Sequence, residues 1–444
     1  MSGEQVRSGI ASGRLEPAQY AANFADLHPV LSSHEARVEA DRCYFCHDAP
    51  CMTACPTHID IPMFIRQIAS SNPLGAAETI FSENIFGGMC ARVCPTETLC
   101  EEVCVREIAE GKPVKIGQLQ RFATDAAMAA NKQFFARAAA TGRKIAVVGA
   151  GPAGLSCGHR LAMLGHLVTV YEKKDKPGGL NEFGIAAYKA VDNFAQAEVE
   201  WLLQIGGISI EYGKALGRDV ALDRLRAEYD AVFVAIGLGA ARALDIPGAE
   251  LDGVDSALDF ISRLRQAGDL SALPVGREVV VIGGGMTAID AAVQAKLLGA
   301  RSVTLVYRRD RSRMPASVFE QDLAAAHGVH LIFNANPVAV TGAGSTEAVT
   351  FEYTSQDGER LVATGETFSV AADQVLVAIG QVMEAGPADL AVADGAFVRS
   401  EHNRSSLAGV WVGGDCARSG DDLTVSAVQD GKVAALSIHE SLMG

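Results

Sequence analysis

Residues 144–173 read KIAVVGAGPAGLSCGHRLAMLGHLVTVYEK, and this stretch decides the fold. An apolar run predicts a buried strand that passes into Gly149-x-Gly151-x-x-Gly154. A helical pattern follows, and a second apolar run ends at Glu172. Glycines so placed let the backbone turn tightly, approach a pyrophosphate at the helix N-terminus and pack the helix against the strand, while the acid takes ribose hydroxyls. The glycine pattern alone is a weak signal. With strand, helix, second strand and acid in register it predicts a Rossmann-like nucleotide-binding fold.

A second copy runs over 277–310 as REVVVIGGGMTAIDAAVQAKLLGARSVTLVYRRD. Its glycines are Gly283 and Gly285, with Ala288 in the third place, where a small side chain still permits close packing. Its second strand ends in Tyr307, Arg308 and Arg309 instead of an acid. Arginines there pair with a 2'-phosphate, which points to NADPH. The following Arg311, Arg313 and Met314-Pro315 read either as a solvated loop or as a further coenzyme contact, and Glu320 receives no role.

The surroundings separate the two cradles. Downstream of the first lie Lys173, Lys174 and the turn Gly178-Gly179-Leu180. Far along the chain comes VWVGGDCARSGDDLTVSAVQDGKVAA, with Gly414-Asp415 ahead of a helix. In flavoproteins with two dinucleotide folds such a late Gly-Asp lies against the flavin ribityl and phosphate, with the helix start, here Thr424 and Val425, aimed at the ring. The first cradle therefore reads as an FAD site. YDAVFVAIG and DQVLVAIG, ending at Gly237 and Gly380, are near-repeats that bracket the second fingerprint. The expected arrangement is α/β: an FAD domain at 141–266 and 373–444, with an NAD(P)H domain inserted at 267–372. Cys157 and Cys416 read as packing residues. They form no C-x-x-C, which argues against dithiol chemistry on these folds.

Residues 1–140 carry the other eight of ten cysteines. They run Cys43-x2-Cys46-x4-Cys51-x3-Cys55-Pro56, then Cys90, Cys94-Pro95, Cys100 and Cys104. The N-terminus lacks the apolar core of a signal peptide and no apolar run approaches the ~20 residues that span a bilayer. A cytoplasmic location is expected, where dense cysteines are ligands more often than disulfides. Zinc favours separated C-x2-C pairs, whereas cysteines crowded up to a Cys-Pro suit iron-sulfur clusters. In two-cluster ferredoxins the cysteine before proline serves the other cluster, so Cys43, Cys46 and Cys51 should hold one and Cys55 should cross to the second. Spacing also recruits Cys90. His47 and His58 have no second histidine at ligand spacing. Between the ligands, MFIRQIASS, LGAAETIFSENI and CEEVCVREIAE have helical spacing, and Pro62 and Pro73 stand where helices begin. An α-helical iron-sulfur domain is expected, followed by a linker at NKQFFARAAATGRK.

These cysteine motifs, with NPLGAAETIFSENIFGGMCARVCPTETLCEEVCV and KIGQLQRFATD, resemble the cluster domain of the dihydropyrimidine dehydrogenase family, and the resemblance extends over essentially the whole chain. It implies two 4Fe-4S clusters: one held by Cys43, Cys46, Cys51 and Cys104, the other by Cys55, Cys94, Cys100 and a glutamine, Gln120. Cys90 stays the competitor for that last place, since thiolate suits iron better than an amide oxygen. Bacterial members imply NADH, against the NADPH read from Arg308 and Arg309.

Half the chain is hydrophobic and the net charge is −15. That disfavours nucleic acid and anionic membranes as partners. NAD(P)H gives electrons in pairs and clusters take them singly, so a flavin must stand between them. No side-chain acid or base is required. The domains expected up to Gly444 include no barrel of the kind that would hold FMN and a pyrimidine, so that site is expected elsewhere. The expectation is an electron-input subunit working with a separate FMN subunit that reduces uracil or thymine. A glutamate synthase small subunit, similar in architecture, is the alternative.

Overall fold

The computed structural model describes residues 9–358, 360–384, 386–387, 389–417 and 422–444. The chain forms two compact units. One takes in 28–182, 192–239 and 383–444, the other the described residues up to 27 with 183–191 and 240–382.

The first unit contains a five-stranded parallel sheet in the order Val410–Val412, Ala231–Val234, Lys144–Val148, Leu167–Glu172, Ile208–Tyr212. The strands Lys144–Val148 and Ala231–Val234 are apolar and almost wholly buried, as expected for a parallel sheet covered on both faces. Chain order reverses at Lys144–Val148, so the loop leaving it opens at a topological switch point, where open α/β sheets bind ligands. The helices Pro152–Met163 and Thr424–Met443 pack together beside this sheet.

Ahead of the sheet lies the helical cysteine domain. In Ile61–Ala69 the residues Ile61, Phe64, Ile65 and Ile68 fall on one face and are all buried. Asp60 caps that helix through Met63 N, and Asn72 caps Pro73–Glu83 through Gly75 N. Pro62 and Pro73 occupy first-turn positions, where a missing N–H costs nothing. The third expected helix is shorter: it starts only at Val105, after the last cysteine. Three helices of the nucleotide fold clasp this domain by its backbone. Arg160 donates to Ser82 O at 2.7 Å and Lys432 to Thr57 O at 3.0 Å, while Glu198 Oε1 accepts from Gly88 N at 2.8 Å and Met89 N at 3.1 Å.

The second unit has its own parallel sheet, ordered Val254–Ser256, Gln374–Ala378, Glu278–Gly283, Ser302–Tyr307, Val329–Phe333, and a three-stranded antiparallel sheet over 335–371. The two near-repeats are equivalent strands: Ala231–Val234 flanks Lys144–Val148, and Gln374–Ala378 flanks Glu278–Gly283. This second sheet thus draws strands from 254 to 378, a wider span than 267–372. The helix Pro17–Asn23 also belongs here, with Tyr20 and Phe24 buried in a core that includes Ile261, Leu264 and Leu298. The compact unit that contains the cysteines takes up the chain from His28.

Candidate functional site

At the first cradle, Gly149 has φ +104, and a β-carbon there would collide with Ala235 O. One on Gly154 would collide with Gly149 O, so both positions require glycine if the helix is to start this close to the strand. Gly178 N donates to Ala150 O at 2.7 Å and Gly179 faces Gly151, which sets the turn ending at Leu180 beside the glycine loop. Gly414 faces Ala153 at the start of the same helix, its N–H held by Asp430 Oδ2 at 2.9 Å. Thr424 donates to Asn181 Oδ1 at 2.7 Å. Gly149, Gly151, Gly154, Gly179, Leu180, Gly414, Asp415 and Thr424 are therefore gathered around one helix N-terminus. Burial, with Asp422 and Asp430 nearby, pushes Asp415 up to about 6. Glu172 is buried and accepts from Ala150 N at 2.7 Å and Lys174 N at 2.8 Å, so it braces the loop, and each oxygen keeps a lone pair for a ribose hydroxyl. A backbone cradle that excludes β-carbons, with an acid at its rim, fits a dinucleotide.

In the second unit Gly283 repeats the pattern, with a β-carbon there colliding with Ala378 O. Ala288 is fully buried in the third place. The Tyr307 ring lies against Gly284, and its hydroxyl donates to Arg313 O at 2.7 Å. Ala316 N donates to Gly284 O, folding the basic loop back onto the glycine turn. Arg311 pairs with Asp322 and Arg313 with Asp310, whereas Arg308 and Arg309 have no ion pair among the described residues. Both stand where the second strand of this cradle ends, at Tyr307. Glu320 lies at 2.6 Å from Lys189, which also meets Asp290 at 2.8 Å. That makes Glu320 part of a buried ion cluster, in which the two carboxylates hold the Lys189 ammonium charged.

The cysteines form two neighbouring groups. Cys43, Cys46, Cys51 and Cys104 line one cavity walled by Ile61, Ile65, Val114 and Ile116. Cys55, Cys94 and Cys100 lie within electrostatic reach of one another, and Cys100 is also within reach of Cys51 of the first group. Cys90 is buried and hydrogen-bonded to Cys94. Gln120 is buried too, and its Nε2 donates to Gly87 O at 2.7 Å on the turn leading to Cys90. Burial, with the neighbouring thiols, pushes Cys51 up to about 12, and Cys100 also rises well above its ordinary value through burial. Such thiols become thiolates only when a cation replaces the proton. Among the described residues no three His, Cys, Asp or Glu side chains converge on a single-ion site. Four thiols lining one cavity, with three more gathered beside them, fit the donor set of iron-sulfur clusters.

His47 is fully exposed beside Asp48. Cys157 and Cys416 are buried in the nucleotide fold, and burial raises both thiols, so neither is poised for thiol chemistry. Glu198, Lys432, Thr57 and Lys189 were not legible as site-associated residues. Glu198 has one signal, its place on the buried apolar face of its helix, and Thr57 another, its place beside a cysteine; Lys432 and Lys189 carry none.

Residues 143–431 match the family described as pyridine nucleotide-disulphide oxidoreductase, and residues 20–132 match dihydropyrimidine dehydrogenase domain II, 4Fe-4S cluster. The chain is 37% identical to the NAD-dependent dihydropyrimidine dehydrogenase subunit PreT of Escherichia coli K12, over 95% of this chain and 98% of that one. It is 32% identical to the glutamate synthase [NADPH] small chain of Halomonas elongata, over 98% and 97%. Among solved structures, Mycobacterium tuberculosis FprA in complex with NADPH covers 68% of this chain, and 85% of its own length, at TM-score 0.56 and 20% identity. Lactococcus lactis thioredoxin reductase covers 68% of this chain and 99% of its own at TM-score 0.54 and 22% identity. These likenesses carry the two-nucleotide fold. No helix among the described residues is long and apolar enough to cross a membrane.

Proposed function

The chain belongs to the family of dihydropyrimidine dehydrogenase PreT subunits within the pyridine nucleotide-disulphide oxidoreductases, and we propose that it is the electron-input subunit of a two-chain dihydropyrimidine dehydrogenase. It is an NAD(P)H-dependent flavin oxidoreductase with a 4Fe-4S domain. The finer reading is that it serves a separate FMN subunit, which interconverts uracil or thymine with their 5,6-dihydro forms, through two clusters.

The single observation that carries this reading is the attachment of the cysteine domain to the nucleotide fold within one compact unit, by Arg160, Glu198 and Lys432. A cluster carrier meant to receive electrons from a flavin gains from a fixed separation, and charged side chains clamped on backbone groups supply it.

FAD held there would supply the conversion of the two electrons of one NAD(P)H hydride into single electrons, and clusters held by the cysteines would supply one-electron carriers. The chain's own residues bind and orient. Gly149, Gly151, Gly154 and Gly179 would let the backbone and the helix N-terminus approach the FAD pyrophosphate, Glu172 would hold the ribose, and Gly414, Asp415, Leu180 and Thr424 would border the ribityl and ring. Gly283, Gly285 and Ala288 do the same for the nicotinamide coenzyme, with Arg308 and Arg309 on its 2'-phosphate. Cys43, Cys46, Cys51 and Cys104 hold one cluster; Cys55, Cys94, Cys100 and Gln120 hold the other.

The test is reconstitution. The purified chain should oxidise NADPH or NADH with an artificial acceptor yet leave uracil unreduced until the FMN subunit is added. Uracil reduction by this chain alone defeats the reading. Likeness to glutamate synthase small chains favours one other outcome: stimulation of glutamine-dependent glutamate synthesis by a large partner chain.

A further inference from the structure

Lys432 lies two turns beyond Thr424 on the helix Thr424–Met443. Its side chain is 12% exposed, and its ammonium donates to Glu83 Oε2 at 2.8 Å and to the Thr57 carbonyl at 3.0 Å. Thr57 is itself fully buried, and its hydroxyl lies 3.4 Å from Cys55 Sγ. The local sequence explains the contact. Cys55-Pro56-Thr57-His58 is a turn closed by His58 N donating to Cys55 O at 2.9 Å, and Pro56 presets the backbone at its second position. The turn folds the Thr57 side chain back over the sulfur. A valine would fill the same volume without burying a hydroxyl, so the oxygen at this place calls for a polar partner, and the sulfur is that partner.

We infer that Thr57 tunes the reduction potential of the cluster ligated by Cys55, and that Lys432 is the positioning residue that holds Thr57 to that task. The inference rests on the proposed assignment of Cys55 as a cluster ligand. An iron-bound Cys55 sulfur has no proton to give, so the Thr57 hydroxyl is the donor. Uptake of one electron adds one negative charge to the site, with no bond made or broken. A donor aimed at the ligand sulfur stabilises that added charge and raises the potential. The Lys432 charge is offset by Glu83, so it acts mainly by fixing the Thr57 carbonyl and with it the turn. The same ammonium ties the turn to the helix that begins at Thr424, so the potential-setting contact is built into the flavin fold's own framework.

The experiment is EPR-monitored redox titration of anaerobically purified Thr57→Val, Thr57→Ser and Lys432→Gln, with iron and sulfide measured on each sample. Thr57→Val is expected to keep full iron and lower one cluster midpoint, so that its reduced-to-oxidised ratio at a fixed potential drops about tenfold, about 59 mV for a one-electron couple. Thr57→Ser should restore the original midpoint, and Lys432→Gln should shift the same midpoint downward by less. Iron-complete Thr57→Val with both midpoints unmoved overturns the inference. Should Thr57→Val lose iron, Thr57→Ala replaces it. Iron loss in both, with Thr57→Ser intact, means that the hydroxyl serves assembly and not potential, and this also overturns it. Absence of iron from the unaltered protein defeats the cluster assignment instead, so the two failures are told apart.

Discussion

Gly149 faces the carbonyl oxygen of Ala235 so closely that no β-carbon fits between them. Ala235 belongs to the VAIG segment that ends the strand beside Lys144–Val148, and Ala378 of the second VAIG crowds Gly283 in the same way. Each near-repeat is thus the wall against which its own nucleotide loop is pressed. Gly149→Ala should misplace the loop at a cost of roughly 1–3 kcal/mol in strain and yield protein that loses flavin on desalting. Gly283→Ala should keep the flavin and raise KM for the nicotinamide coenzyme about tenfold or more, about 1.4 kcal/mol. Flavin absorbance and steady-state kinetics on the two variants check this.

Gln120 and Cys90 are the two candidates for the eighth cluster-ligand place. Gln120→Ala is expected to remove about half the iron, and Cys90→Ala to leave the iron content intact while perturbing its partner Cys94. Metal analysis with acid-labile sulfide decides between them. The reverse pattern hands the ligand role to Cys90.

Arg308 and Arg309 are the arginines of their loop that carry no carboxylate partner among the described residues. Replacing both by serine should raise KM for NADPH roughly 10- to 100-fold, the loss expected for charge-assisted bonds of about 1.5–3 kcal/mol. KM for NADH should change little. Equal losses with both coenzymes would place these arginines elsewhere.

His159, on the helix Pro152–Met163, is buried edge-on to Phe135 with ring centroids 5.9 Å apart, and burial, then Arg160, pulls it down to about 3. The fold therefore prefers the neutral ring. Its contribution is present above the unfolded pKa of about 6.5 and is lost as pH falls toward 3, on the order of a few kcal/mol in all. His159→Leu should flatten the fall in thermal stability between pH 6.5 and 4.5, measured by calorimetry.

Much of this was legible in the sequence because period and spacing are local. The two glycine cradles, the late Gly414-Asp415 and the cysteine ladder each announce themselves within about thirty residues. The partners that close the sites are not local. Ala235 and Ala378 read as ordinary strand-end residues until the sheets form, and Glu198, though on the apolar face of the helix Phe194–Leu203, does not reveal its partners until it meets Gly88 and Met89. Helix Pro17–Asn23 joins the second nucleotide fold through Tyr20 and Phe24, a long-range packing choice that no spacing encodes. The coenzyme fold's outer strand at Val254–Ser256 is three residues long, too short to leave a periodic signal.

The most direct measurement is an anaerobic titration of the purified, iron-loaded protein with NADPH and with NADH, following flavin and cluster absorbance together. The account predicts that the flavin band bleaches, that cluster absorbance falls in the same titration, and that completion takes about two equivalents, one pair of electrons for the flavin and one electron for each cluster. Bleaching that ends at one equivalent with cluster absorbance untouched, or a protein that binds zinc in place of iron, contradicts it.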